Sequence, residues 1–236
     1  MTNMKVTLTR VTPNPVLAIE EAASNCYDSS PSANGKIMNA CYKSGHHSVL
    51  EFADFTFHVE FISRACSHQV VRHREASYAQ RSQRYVEEDN FAYVTPPTIQ
   101  MNKDAFLLYI EHMENCQKVY NELVRMGIPA EDARYVLPNA CATVIEVKMN
   151  GRELIHLANE RLCTRAQWEI RRLVKKMKRC VEEYSEECKQ FSQYLVPKCY
   201  AHAPFKFCTE HKSCGMAPKL NDVYDAYLRQ VNENEE

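Results

Sequence analysis

The chain has 236 residues, 45% of them hydrophobic, which is enough for one substantial core and excludes a peptide, a tail or a linker. Lys+Arg 29 against Asp+Glu 30 leaves a formal net charge of −1, so nothing global would hold the protein on nucleic acid or an anionic membrane, and any polyanion site must be local. No charge-free apolar run approaches the ~18 residues needed to span a bilayer, and the start MTNMKVTLTRVTPNP lacks the apolar core of a secretory signal, so the chain is read as cytoplasmic with no membrane contact.

In chain order, Lys5 to Val11 reads as a short strand, Pro15 opens a helix to Tyr27, and Lys36 to Ser44 reads as a helix ended by Gly45. Phe52 to Phe61 alternates, with Phe55, Phe57, Val59 and Phe61 on one face and Asp54, Thr56, His58 and Glu60 on the other, which is the pattern of a half-buried strand. Ser63 caps a short helix to Val71, after which a polar loop from Arg72 to Tyr85 leads to an extended segment ending at Pro96 and Pro97. Lys103 to Met126 is a long amphipathic helix closed by Gly127, and Pro129 starts another that ends near Pro138. Cys141 to Met149 alternates as a second strand with Cys141, Thr143, Ile145, Val147 and Met149 on one face. Helices from Arg152 to Arg161 and from Arg165 to Cys188 complete the core, the latter with a solvated face of Lys175, Lys176, Lys178 and Arg179. With no repeat and no Gly/Ser linker, residues 1–196 read as one domain and 197–236 as a separate Cys/His-containing tail.

The polar loop, RHREASYAQRSQRY, gathers Arg72, His73, Arg74, Arg81 and Arg84 among Ser77, Gln80, Ser82 and Gln83, with Glu75 its only acid. Guanidinium groups suit bidentate contacts to phosphate oxygens, and the hydroxyls and amides supply neutral partners. Three readings compete here: a solvated basic loop, a single-stranded nucleic-acid groove, and a pocket for phosphorylated small molecules. The groove would need a wider basic surface with interleaved aromatics, whereas the basic density stops beyond Tyr78 and Tyr85. A pocket would draw on further groups from elsewhere in the chain, and Arg134, Asn150, Arg152, His156 and Arg161 stand at helix and strand ends.

Gly35, Gly45, Gly127, Gly151 and Gly215 are too scattered to build GxGxxG or GxxxxGK[ST], so a nucleotide here must be held by side chains. The cysteine count of 11, without a secretory signal, indicates reduced thiols or a metal instead of a disulfide framework; Cys26, Cys41, Cys66, Cys116 and Cys141 read as small core residues.

Arg72-His73-Arg74 followed by Ser77, Ser82 and Arg84 resembles the RHRxxSxxxxSxR signature of the flavin-dependent thymidylate synthases. Ser44-Gly45-His46 with Ser48 and Glu51 is similar to that family's GH…S/T…E stretch, just before an FTFHV strand that the family also has. Downstream, ARYVLP at Ala133 to Pro138 and RAQWEIR at Arg165 to Arg171 match as well, so the resemblance spans residues 16 to 195 and leaves the tail outside it.

The resemblance implies an α/β (α+β) fold with a mixed or antiparallel sheet flanked by long helices, assembled as a homotetramer. It implies conversion of dUMP to dTMP with FAD as cofactor and with NADPH and methylenetetrahydrofolate as co-substrates, without a cysteine nucleophile. In that mapping FAD contacts come from His46, Ser48, Arg72, His73, Arg74, Gln80, Asn150, Arg152 and His156. The uracil nucleotide falls to Gln69, Arg72, Gln80, Arg81, Ser82, Gln83, Arg84, Arg134 and Arg161, with Ser82 as a positioning donor and Arg161 as the activating residue that favours the ionised pyrimidine. The chain departs from many members at Ala79 and Gln80, where they have Asn and Glu, and at His156, where they have Asn; Gln80 keeps the acceptor of a carboxylate and loses its charge. Alternatives of another class are a flavin enzyme for a different nucleotide and an RNA- or nucleotide-binding module built on the same arginine loop.

In the tail, Cys199, Cys208, His211 and Cys214 surround a turn-rich stretch, and the Cys208, His211, Cys214 spacing is compatible with tetrahedral zinc; the other reading is an ordered tail packed on the oligomer, with a last helix from Asn221 to Val231 and a frayed acidic end. Nothing in the mapped catalytic assignment depends on the tail.

Overall fold

The computed structural model describes residues 4–32, 34–202 and 204–233, so the expected acidic end lies outside the described residues. Four strands, β1 (Lys5–Val11), β2 (Asp54–Ser63), β3 (Ala76–Gln80) and β4 (Ala142–Asn150), form one sheet in the order β1–β2–β4–β3. The sheet is antiparallel and is accompanied by helices, the α/β (α+β) class that the resemblance implies. The chain divides into two compact units, Met1–Thr7 with Phe57–Lys148 and Leu8–Thr56 with Met149–Glu236. Among the described residues no helix is long and apolar enough to cross a membrane.

In the first unit, Phe57 and Val59 are fully buried while His58 and Glu60 are half-exposed, as the alternation requires. The alternation breaks at Phe61, whose φ of 60° is in the left-handed region, and both Ile62 and Ser63 are then buried. The break ends the strand with Ser63 placed to cap α3 (Arg64–Val70), its Oγ accepting the Cys66 N–H at 3.0 Å. Helices α4 (Pro97–Gln100), α5 (Lys103–Arg125) and α6 (Ala130–Ala133) follow, and a 3₁₀ turn covers Arg134–Val136. Phe91, Met113, Cys116 and Cys141 form a buried cluster that ties α5 to the start of β4. On β4 the face of Thr143, Ile145 and Val147 is buried as expected.

The polar segment 72–85 is not all loop, which corrects the sequence reading. Ala76–Gln80 is a strand with alternating exposure, and the Arg81 N–H continues the pairing to the Val144 carbonyl at 3.0 Å. Its tyrosine and small residues fit a half-buried pleat, a signal masked in the sequence by the flanking arginines.

In the second unit, α1 (Pro15–Tyr27), α2 (Lys36–Lys43) and a 3₁₀ helix (His47–Phe52) pack with α7 (Gly151–Arg161), α8 (Trp168–Tyr184) and α9 (Glu186–Ser192); α10 (Leu220–Glu233) is the last described element. The single helix expected from Arg165 to Cys188 is in fact two. Gln167 caps the first, and at Ser185 the backbone turns extended so that its hydroxyl accepts the Cys188 N–H and opens α9. The break lets Phe191 fold back onto Phe55, their ring centres 4.9 Å apart.

Gly151 lies in the cradle this makes. Its N–H donates to the Ala53 carbonyl at 2.7 Å, and a Cβ there would stand 2.7 Å from the Leu50 carbonyl oxygen and 3.1 Å from the Phe191 ring. Gly151→Ala is expected to destabilise the fold by about 2 kcal/mol, lowering Tm by about 4–8 °C for a chain of this size. A thermal scan superimposable on the parent's would contradict the steric argument.

Candidate functional site

The arginine-rich segment is held in place by neutral side chains beneath it. Gln80 on β3 donates from Nε2 to Ser67 Oγ at 3.0 Å and to Thr143 Oγ1 at 3.2 Å, and the Ser67 hydroxyl donates in turn to the Arg64 carbonyl at 3.0 Å. Both hydroxyls are on buried residues, so the amide is locked between α3 and β4. The Tyr78 hydroxyl sits 2.9 Å from the Val70 carbonyl and 2.7 Å from the His73 carbonyl, bracing the turn that presents Arg72, His73 and Arg74. Arg72 and Arg74 are exposed and His73 is buried.

Beyond β3, Arg64 donates to the Arg81 carbonyl at 2.7 Å, and Arg81 Nε lies 3.5 Å from the carboxylate of buried Glu88. Burial raises the Glu88 pKa, against the opposing pull of the Arg81 and Arg64 cations. Ser82 Oγ accepts the Arg84 N–H at 3.1 Å. Arg84 is paired with Glu131 at 2.9 and 3.0 Å, and Arg134 Nε donates to the Glu131 carbonyl at 3.0 Å, so one acidic residue sets both arginines. Gln69, half-buried on α3, donates to the Ala65 carbonyl at 3.4 Å. Within the first unit, hydrogen bonds thus tie Gln80 to α3 and β4, Arg81 to Arg64, Ser82 to Arg84, and Arg84 and Arg134 to Glu131, while Gln69 and Arg72 lie on and just after α3.

Gln83 reaches Cys141, donating to its Sγ at 3.4 Å. Burial pushes that thiol's pKa up to about 11, with the Glu88 charge adding to the effect. A thiol held protonated at neutral pH is no nucleophile, and the loop itself carries no cysteine. Iodoacetamide at pH 8 is therefore expected to leave Cys141 unmodified in the native protein and to label it once the chain is unfolded. Rapid native labelling, read by peptide mass, would overturn this assignment.

The second unit gathers another part of the mapped set. Asn150 caps α7 by accepting the Glu153 N–H at 2.9 Å through Oδ1, a bond that uses the amide oxygen and not its NH2 group. Arg152 and His156 lie four residues apart on one exposed face of α7. Arg152 pairs with Glu51 at 2.7 Å, joining α7 to the 3₁₀ helix that carries Ser48. His46, exposed, precedes that helix, and the neighbouring His47 stacks on Tyr42 with ring centres 5.3 Å apart. Arg161 is half-buried in the last turn of α7, where a cation complements the helix C-terminus.

Sequence reasoning missed the supporting residues Ser67, Glu88, Glu131 and Thr143. Their signal was weak because each is an ordinary polar residue whose partner is distant in sequence. Chemically, the arrangement offers several oriented guanidinium and amide donors suited to phosphate and to a planar imide, and no activated thiol.

Comparison with known proteins agrees with this chemistry. The family model described as "Thymidylate synthase complementing protein" matches residues 7–185. A flavin-dependent thymidylate synthase of Clostridium tetani is 38% identical over 94% of this chain and 97% of its own length. One of Geobacter sulfurreducens is 47% identical over 76% of this chain and 82% of its own length. Among solved structures, Thymidylate Synthase X from Helicobacter pylori, determined with FAD and dUMP, superposes with a TM-score of 0.67 at 22% identity, covering 82% of this chain and 99% of that one. A UMP/dUMP methylase from Streptomyces cacaoi bound with 5-Br dUMP gives 0.69 at 20% identity over 82% of this chain and 96% of that one. At these identities the structures establish the shared fold.

Proposed function

The chain belongs to the flavin-dependent thymidylate synthase family, and on that premise we propose that it methylates dUMP to dTMP with FAD as cofactor, NADPH as reductant and methylenetetrahydrofolate as one-carbon donor. The observation that carries this reading is the RHRxxSxxxxSxR segment, in which Gln80 is anchored on Ser67 and Thr143 and Arg84 is paired with Glu131. The catalytic domain is residues 1–196, which contains the whole family match, and the working assembly is a cytoplasmic homotetramer.

The donor set suits FAD. Without a glycine loop, its phosphates need side-chain donors, and Arg72, Arg74, Ser48, Arg152 and the Asn150 NH2 group are of that kind, with His46, His73, Gln80 and His156 as further polar contacts. When bound, the reduced flavin supplies the hydride that completes the methyl group.

The chain's own residues hold and polarise the nucleotide. Arg81, Arg84 and Arg134 neutralise its phosphate, assisted by Arg72, while Gln69, Ser82 and Gln83 direct hydrogen bonds to its neutral groups. Gln80 stands where many members have a carboxylate, so its contacts are neutral ones made by an amide already anchored on Ser67 and Thr143. In this reading Arg161 pairs with the pyrimidine imide and favours its ionised form, raising electron density at the carbon that attacks the methylene group.

The test is a visible spectrum of the purified protein, repeated after anaerobic NADPH with and without dUMP. Bound flavin whose bleaching responds to dUMP supports the reading. A colourless protein that takes up no added FAD would overturn it and leave the arginine segment as a phosphate or RNA site.

A further inference from the structure

Outside the nucleotide chemistry, the second unit contains a cavity of about 20 Å3 whose walls include Cys163, Cys199, Cys208 and Cys214 together with Arg165 and Lys198. Four elements of the chain bring the thiols there. Cys163 follows the end of α7, Cys199 is in a 3₁₀ turn (Lys198–Tyr200), and Cys208 is fixed by hydrogen bonds of its N–H to the Pro218 carbonyl at 2.7 Å and of its carbonyl to the Leu220 N–H at 3.4 Å. That pairing closes the loop that carries Cys214. Sequence spacing pointed to His211 as the fourth donor, but His211 is exposed and is not among the residues lining the cavity, whereas Cys163, from outside the tail, is.

We propose that these four cysteines bind a single zinc ion that fastens the segment after residue 197 to the end of α7. A set of four soft sulfur donors selects zinc or iron–sulfur chemistry. One zinc ion is satisfied by the four thiolates alone, whereas a cluster would also need iron and sulfide. The surroundings suit a tetrathiolate, which carries two net negative charges around Zn2+. Arg165, Lys198 and Glu210 line the same cavity, and with Lys198 and Glu210 paired at 2.6 Å, Arg165 is the cation left to offset that charge. The Thr164 hydroxyl and the Met216 N–H donate hydrogen bonds to the Cys214 sulfur, the kind of outer contact that orients a metal-bound sulfur.

The segment also has reason to need a staple. Between Val196 and Leu220 it contains only the short 3₁₀ turn and one isolated bridge, with Cys208 and Ala217 its buried apolar residues among those described. Tetrahedral Zn–S bonds of ~2.3 Å place sulfurs ~3.8 Å apart. Among the described residues no three of these sulfurs lie within 4.8 Å of one another, so taking the ion requires them to draw closer together. The binding step moves no electrons: each thiol still protonated releases its proton to solvent as its sulfur bonds to Zn2+.

The test is metal analysis of the full-length protein purified with a phosphine reductant and without added metal, followed by a zinc-loading titration against a chromophoric chelator. About one zinc per chain is expected, with Cys163→Ala and Cys208→Ala each weakening zinc binding by about 100-fold or more, beyond the loss typical of an outer-shell change. His211→Ala is expected to bind as the parent does. Because a cysteine variant can fail by misfolding, cobalt replacement in the parent chain gives a second readout, the d–d bands of a tetrahedral four-thiolate site. These fall at longer wavelengths than the flavin bands. Failure of the reduced parent to take up zinc, full affinity in Cys163→Ala, loss in His211→Ala, iron with labile sulfide, or an intact mass showing disulfides among these cysteines would each overturn the proposal.

Discussion

Arg161→Ala is expected to retain flavin and to lose about 100- to 1,000-fold in the rate of dTMP formation, the range set by removing one donor aimed at developing charge. A guanidinium is a planar, delocalised cation with several fixed donors, a form suited to holding an anionic pyrimidine. Its place in the last turn of α7 supports that use, since the helix end favours a cation there and the residue is half-buried. Arg74→Ala provides the contrast. It removes an exposed cation of the RHR segment and should weaken flavin retention, seen as a lower ratio of flavin to protein after gel filtration. If Arg161→Ala turned over at the parent rate, the activation role would be wrong, and if it lost flavin as Arg74→Ala does, Arg161 would belong to cofactor binding.

Arg84→Ala is expected to raise KM for dUMP by about 10- to 100-fold, corresponding to ~1.5–3 kcal/mol for a charge-assisted contact to phosphate, with kcat at saturating dUMP much less affected. The Arg84–Glu131 pair has both side chains about half exposed, at 51% and 47%, so it contributes little to stability and serves chiefly to aim the guanidinium. Glu131→Gln should therefore give a smaller increase in KM, since Arg84 and Arg134 would keep their charges while Arg84 lost its orienting carboxylate. A parent-like KM in Arg84→Ala would remove this residue from the phosphate site. A fall in kcat with unchanged KM would move it to the chemical step.

The alternating strands were legible because each buries one face: Phe55, Phe57 and Val59 on β2 and Thr143, Ile145 and Val147 on β4 obey the period of two. β3 was not, because five residues flanked by arginines carry too little apolar signal for a pairing with β4 to be foreseen. The division between α8 and α9 was hidden for a related reason, since a serine inside a continuous amphipathic pattern declares itself a cap only once its hydroxyl finds an N–H. At the site, the arginines and serines of the motif stood out in the sequence by type and spacing. Glu131 and Glu88 did not, as an acid 47 residues from Arg84 in the chain shows no local sign of pairing with it. Cys163 escaped notice because metal-ligand spacing is sought among close neighbours, and its partners lie beyond residue 197.

The central claim is tested most directly by incubating the FAD-loaded protein with dUMP, NADPH and methylenetetrahydrofolate labelled at its methylene carbon. The expected result is label in the methyl group of dTMP, dependent on all three co-substrates and nearly abolished in Arg161→Ala. Protein that binds FAD and dUMP yet transfers no label to the pyrimidine would contradict it.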